Sequence, residues 1–337
     1  MNDARKSDWP RVDLHIVSGK GGTGKSTVAA ALALALASRG KHVLLCEVEG
    51  RQGLAQLFDV PPLPYEERRI AQGLGDTGDG GDVYALAIDA ESAMLEYIQL
   101  YYRMGSRTTR ILDRFGVLDF ATTIAPGLRD VLLTGKLFEA VERNSRNKGA
   151  RVYDAVVLDA PPTGRIAQFL NVNGEFGDLA KVGMVRGQTE RVMGLLKSPR
   201  TAIHLVTVLE DMPVQETADG IDELRRSGLP VGGVVVNLTR PAELDEESRQ
   251  AALEGTLSRS ETVADLSKAG VDVTDELVDG LLSEAREYAE RRALEDRQRE
   301  RIDQLDVPSY TLERLPDGID LGGLYELAED LREQGMA

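Results

Sequence analysis

Residues 12–26 read VDLHIVSGKGGTGKS, a β-branched run that stops at a glycine and passes directly into a glycine-rich pattern. Gly19-Lys20-Gly21-Gly22-Thr23-Gly24-Lys25-Ser26 satisfies G-x-x-x-x-G-K-[ST]. Beyond it, Ser26 to Ser38 is rich in alanine and leucine, with Gly40 just past its end, so the local order is strand, loop, helix. Glycines let a backbone wrap a phosphate chain with its amides pointing inward, and the following helix N-terminus adds a favourable dipole. Lys25 is expected to hold the β- and γ-phosphates of a nucleoside triphosphate, and Ser26 to ligate Mg²⁺.

Working outward, a second strand is expected over His42 to Val48. Strand signals recur at Val83 to Ile88, Ala155 to Leu158, Ala202 to Leu209, Val231 to Val236 and Ser309 to Leu312. Helical stretches separate most of them, which predicts the α/β class: a doubly wound, mostly parallel sheet covered on both faces. The 337 residues are expected to form a single P-loop nucleotide-binding domain over 1–337. Segments 90–141 and 174–196 are helical and unusually apolar for connections, and predict a helical subdomain inserted into the sheet domain. Residues 274–305 carry Leu277, Leu281, Ala285, Tyr288, Leu294, Ile302 and Leu305 at broadly helical spacing amid many charges, the pattern of a long amphipathic surface helix. Gln72 to Asp82, QGLGDTGDGGD, reads as a surface loop too polar to pack.

Composition narrows the function classes. Against 40 basic residues stand 56 acidic ones, a formal charge of −16 that repels nucleic acid and anionic lipid, so no nucleic-acid partner is expected. No run of about 18 apolar residues exists, and MNDARKSDWP lacks the apolar centre of a signal peptide, which predicts a cytoplasmic protein without direct membrane insertion. The single cysteine, Cys46, excludes an internal disulfide framework and any intrachain CxxC zinc or iron–sulfur site. His15, His42 and His204 are scattered through strand-like sequence and read as packing or strand-edge residues.

Further motifs share a theme. Val156-Val157-Leu158-Asp159 is an apolar strand ending in a carboxylate suited to Mg²⁺, and it continues as Ala160-Pro161-Pro162-Thr163-Gly164-Arg165. The second strand leads through Glu47, Glu49 and Gly50 to Leu54 and Phe58. Later come Thr207 to Glu210, then Glu216-Thr217, then Val234-Val235-Val236-Asn237, and finally Leu315-Pro316. Together with Lys20 in KGGTGKST, this set resembles the SIMIBI class of P-loop NTPases and, within it, the arsenical-pump and guided-entry ATPase family.

The resemblance implies residue roles. Lys20 is the lysine that crosses a dimer interface to the partner's phosphates. Gly164 lies where a switch-segment amide senses the γ-phosphate, with departures from the D-T-A-P-T-G-H pattern at Ala160, Pro161 and Arg165. Glu49 falls at the aspartate that positions attacking water in D-P-A-H-N-L-x-x-x-F, and Gly50 replaces its proline. Glu47 shares a face with Glu49 but sits further from the loop. Asn237 is implied to bond the adenine edge and Pro316 to border the base. The expected nucleotide site is thus Gly19, Gly21, Gly22, Thr23, Gly24, Lys25, Ser26, Thr27, Gly164, Asn237 and Pro316. Lys20, Lys25, Glu49 and Asp159 are expected to serve catalysis, and Ser26 and Asp159 to hold the metal. Expected cofactors are ATP or ADP and Mg²⁺, without zinc or an iron–sulfur cluster.

The implied activity is that of an ATP-hydrolysing dimeric switch that couples nucleotide state to a client or membrane-protein partner. Met94, Tyr97, Ile98, Tyr101 and Met104 form one stripe, followed by Leu112, Phe115, Val117, Leu118 and Phe120; Met184, Val185, Val192, Met193, Leu195 and Leu196 repeat the theme. Such stripes suit a client groove or mutual burial. One cysteine supplies neither convergent thiolates for a soft metalloid nor a shared CxxC zinc site. The dimer is therefore either a homodimer built on another contact or a heterodimer with a paralogous ATPase. Two other readings stand beside it. Glu49-Gly50 suits a low-turnover structural subunit of such a heterodimer. The Lys20 loop is also shared by positioning ATPases of the MinD and ParA kind, although the tail from Leu324 to Gly335 lacks a basic face.

Overall fold

The computed structural model describes residues 6–75, 80–102, 127–144, 150–179, 184–316 and 318–337. Eight strands, β1 (Leu14–Gly19), β2 (Val43–Glu47), β3 (Arg68–Gln72), β4 (Asp82–Ala87), β5 (Ala155–Asp159), β6 (Thr201–Thr207), β7 (Val231–Thr239) and β8 (Ser309–Glu313), form one sheet in the order β3-β4-β2-β5-β1-β6-β7-β8. All neighbours pair in parallel except β3 and β4. The doubly wound α/β sheet expected from the sequence is therefore present.

Alternation along each strand builds two cores. Val17, Leu45, Val157, Val206 and Val235 face one side; Ile16, Leu44, Val156, Leu158 and Val236 face the other. On the first side lies α1 (Lys25–Ser38), whose residues from Val28 to Ala37 are all buried. A helix apolar all round must be enclosed, and α11 (Leu321–Glu333) encloses it with Leu324, Leu327 and Leu331, while α2 (Gly53–Leu57) adds Leu54 and Ala55. The second side is covered by α4 (Leu128–Val141), α5 (Thr163–Leu179), α6 (Met184–Leu196) and α7 (Asp211–Arg226). A further helix, α3 (Ala90–Tyr102), follows β4.

Strand β3 carries no strand signal in its own sequence. RRIAQ holds two apolar residues, and the strand is half exposed at the sheet edge, where Arg68 and Arg69 blunt further pairing. Its antiparallel partner β4 imposes the extended state. The connection expected to be too polar to pack is anchored at both ends: Gly73 N–H donates to Gly81 O, and Gly81 N–H to Ala37 O, each at 2.8 Å. A Cβ at Gly73 would lie 2.1 Å from Ala37 C, and one at Gly81 2.0 Å from Lys41 O. Lack of side chains is what lets this stem pack.

Between β7 and β8 the chain builds α8 (Glu246–Glu254), α9 (Arg259–Lys268) and α10 (Asp275–Asp303). Asp245, Ser258 and Thr274 cap them by accepting amide hydrogens of Ser248, Glu261 and Leu277, which satisfies donors the first helical turn leaves free. Along α10, Val278, Ala289 and Ile302 are buried, whereas Leu281 and Leu294 are exposed. Of the expected client-groove stripes, Met104, Leu112, Phe115, Val117, Leu118 and Phe120 lie outside the described residues. Val192, Leu195 and Leu196 are buried in the second core. No helix among the described residues is long and apolar enough to cross a membrane.

Candidate functional site

The loop from Gly19 to Ser26 leaves the end of β1, at the middle of the sheet, and enters α1. Its backbone demands glycine at particular points. A Cβ at Gly19 would lie 2.5 Å from Val206 O. Gly22 (φ 90°) and Gly24 (φ 83°) adopt the left-handed conformation, which costs other residues about 1 kcal/mol or more. Thr23 braces the turn, with its Oγ1 donating to Lys20 O at 2.8 Å. Around Gly21 and Gly22 nothing would meet a Cβ within 4 Å, so the loop is open on that side.

At the helix end of this loop the chain gathers two carboxylates and one ammonium. Asp159 ends β5 beside β1, and Ser26 Oγ donates to its Oδ2 at 2.6 Å. Lys25 Nζ lies 3.5 Å from both Asp159 Oδ1 and Glu49 Oε2. Those same two oxygens are buried and have no hydrogen-bond partner. Burial raises the Asp159 pKa above its ordinary value, opposed by Lys25 and by the Ser26 hydroxyl. Arg51 Nε also lies 3.7 Å from Glu49 Oε2, so both carboxylates have ion-pair partners, yet each keeps a hard oxygen donor without a hydrogen bond, which fits Mg²⁺. Among the described residues no group of three His, Cys, Asp or Glu could cage a metal. Mg²⁺ needs none, since one or two carboxylates plus substrate phosphates and waters complete its shell.

Gly50 has φ 66°, a conformation closed to the proline it replaces. Glu47, only 4% exposed, accepts amide hydrogens from Gln52 at 3.0 Å and Leu54 at 3.3 Å. Burial raises its pKa and those two donors oppose the rise. Glu47 therefore clamps the start of α2, a role that sequence reasoning missed. The available signal was an acid at the strand end followed by a glycine-bounded turn. Gln52 extends the clamp, exchanging two hydrogen bonds with the Leu63 backbone.

Other expected residues take defined places. Lys20 Nζ forms an ion pair with Glu216 Oε1 of the same chain at 2.7 Å. Asn237 is 3% exposed, and its Nδ2 donates to Thr23 O at 2.9 Å, tying β7 to the loop. Gly164 lies in the exposed first turn of α5, where a helix leaves amide donors unsatisfied. Ser18 Oγ donates to Pro161 O at 2.6 Å, fastening the segment before α5 to β1. Pro316 is exposed after β8, in a loop joined to β7 by Arg314 N–H donating to Thr239 O at 2.8 Å. Lys25, Ser26, Glu49 and Asp159 come together; Lys20 is turned toward α7, and Asn237 sits beneath the loop.

Comparison with known proteins places the chain in a family. Residues 13–197 match the model of the anion-transporting ATPase family. The ATPase BagA of Mycobacterium tuberculosis is 53% identical over 332 residues, 97% of this chain and 96% of its own length. Arsenical pump-driving ATPases of Escherichia coli and Acidiphilium multivorum are each 25% identical over 330 residues, which cover 92% of this chain and 53% of theirs.

Proposed function

The chain belongs to the anion-transporting ATPase family, and from that premise we propose that it binds Mg·ATP on the Gly19–Ser26 loop, hydrolyses it, and uses the cycle as a dimeric switch. One observation carries the reading: Lys25, Ser26, Asp159 and Glu49 converge at the end of the phosphate loop with two buried carboxylate oxygens left without hydrogen-bond partners. A triphosphate and its metal are the chemistry that completes such a set.

In this reading the glycine-opened loop and the first turn of α1 bind the phosphate chain through backbone amides. Lys25 leaves its two carboxylates for the β- and γ-phosphates. Ser26 and Asp159 would hold Mg²⁺, which supplies charge neutralisation of the phosphates. Freed from Lys25, Glu49 orients the attacking water, and its extra methylene relative to aspartate offsets the altered path at Gly50. Gly164 reports the γ-phosphate to α5, and through it to the helices of the second core. The client or partner would be a protein recognised by those helices.

Phosphate release by wild type and Glu49→Gln in the presence of Mg²⁺ tests the reading. A loss of about 10²-fold is expected from misplacing the water. The left-handed Gly50 favours one other reading, a low-turnover nucleotide-binding subunit paired with a paralogous ATPase. Equal release by the two proteins would support that alternative and remove Glu49 from catalysis.

A further inference from the structure

Lys20 is engaged within its own chain. Its ammonium lies 2.7 Å from Glu216 Oε1, with the two side chains 31% and 39% exposed. Glu216 stands on α7, and that helix touches two other helices, α5 and α10. One turn further along, a Cβ at Gly220 would lie 2.4 Å from Thr163 Cγ2, so α7 and the first residue of α5 meet without slack. At its start, Asp211 and Gln215 accept hydrogen bonds from Arg301 of α10 at 2.7 and 2.6 Å. The helix that holds the lysine therefore also abuts the residue next to Gly164.

We propose that Glu216 is a positioning residue, a cis latch that holds Lys20 on its own subunit until the γ-phosphate moves α5. This rests on the reading of the chain as a nucleotide-dependent dimer. Close-packed contacts transmit displacement because they cannot be compressed. A shift of the first turn of α5 toward the γ-phosphate relieves or presses the Thr163–Gly220 contact, and α7 follows with Glu216. Lys20 is then released toward the phosphates of a second subunit. The partial exposure of the pair suits this task. A fully buried pair would lock the lysine, since separating it would strand an uncompensated charge, whereas an exposed pair favours the closed state only a few-fold.

Two latches open when two protomers join, so their effects multiply. Sedimentation of the full chain with Mg²⁺ and the non-hydrolysable analogue AMP-PNP measures the dimerisation constant. Glu216→Gln is expected to tighten nucleotide-dependent dimerisation by roughly 10-fold. The protein concentration giving half-maximal phosphate release should fall by the same factor. Glu216→Asp, which keeps the carboxylate, should return toward wild type, and Lys20→Ala should make dimerisation insensitive to Glu216→Gln. A merely structural pair would weaken the dimer or leave it unchanged when broken, and either result in Glu216→Gln overturns the latch. Wild type that binds Mg·AMP-PNP yet stays monomeric at every concentration overturns the dimeric switch, and the latch with it. Normal dimerisation with no response to Glu216→Gln overturns the latch alone.

Discussion

At the C-terminal end of β1 the chain gathers the partly buried Lys25, Ser26 and Glu49 around the buried Asp159, with two carboxylate oxygens lacking a hydrogen bond. Near the start of the same strand it buries His15 against His204, and keeps both neutral. Gly233 N–H donates to His204 Nδ1 at 3.1 Å, which leaves His204 Nε2–H to donate to His15 Nδ1 at 3.1 Å. Trp9 packs its edge on His204, and its indole N–H donates to Tyr310, which donates to Asp8. One cluster keeps its charges in ion pairs with Lys25 and Arg51 but leaves two carboxylate oxygens without hydrogen bonds; the other holds neutral imidazoles that have joined the core, with His15 Nε2 lacking a hydrogen-bond partner. Charged groups with unfilled hydrogen-bonding capacity mark a place for a ligand, and neutral burial marks a place for packing.

The two ends should fail differently. The largest effect is expected at the charged end: Asp159→Asn should lower phosphate release by about 10²–10³-fold, or about 3–4 kcal/mol in barrier. Since burial raises the Asp159 pKa, its charge is a burden on the empty fold, and the same variant should unfold at an equal or higher urea concentration at pH 7.5. A variant that loses activity by losing stability would erase the distinction between the ends.

Acid should act on the two clusters in opposite directions. Burial pushes His204 down to about 3 from 6.5. His15 is also held well below 6.5, first by burial and then by His204 and Lys41. Both take up protons near 6.5 only when unfolded, so their stabilising effect is complete above that pH and is lost as pH falls below it toward the folded values. At pH 5 the loss is about 2 kcal/mol for His204, and His15 adds to it in the same direction. Asp159 works the other way, since its raised pKa means that protonation on acidification relieves a penalty. Urea midpoints at pH 7.5 and 5.0 should fall in wild type, and the fall should be larger in Asp159→Asn, where that relief is absent. A flat profile in both would show that the histidines are not held neutral.

The smallest effect separates two neighbouring acids. Glu47→Ala should cost about 1–2 kcal/mol of stability by freeing the amides of Gln52 and Leu54. Glu49→Gln should cost almost none while slowing turnover. Denaturation and phosphate release on both variants would reveal a swap of roles.

Which features the sequence discloses follows from what holds them. Seven strands are legible because β-branched runs carry their own preference; β3 is not, because RRIAQ is extended only by pairing with β4. Gly19 to Ser26 is legible because its chemistry is contiguous, and Asp159 because it ends an apolar strand. The His15–His204 pair joins residues 189 apart and appears only once β1 and β6 lie side by side. Likewise, the Glu47 clamp depends on how the chain turns after Gly50, and the Lys20–Glu216 pair on where α7 packs.

Titration of the purified chain with ATP, with and without Mg²⁺, beside Lys25→Ala, bears most directly on the charged end of β1. Binding that requires Mg²⁺ and is lost in Lys25→Ala is the predicted result. Equal affinity in the two proteins, or none in either, would contradict it.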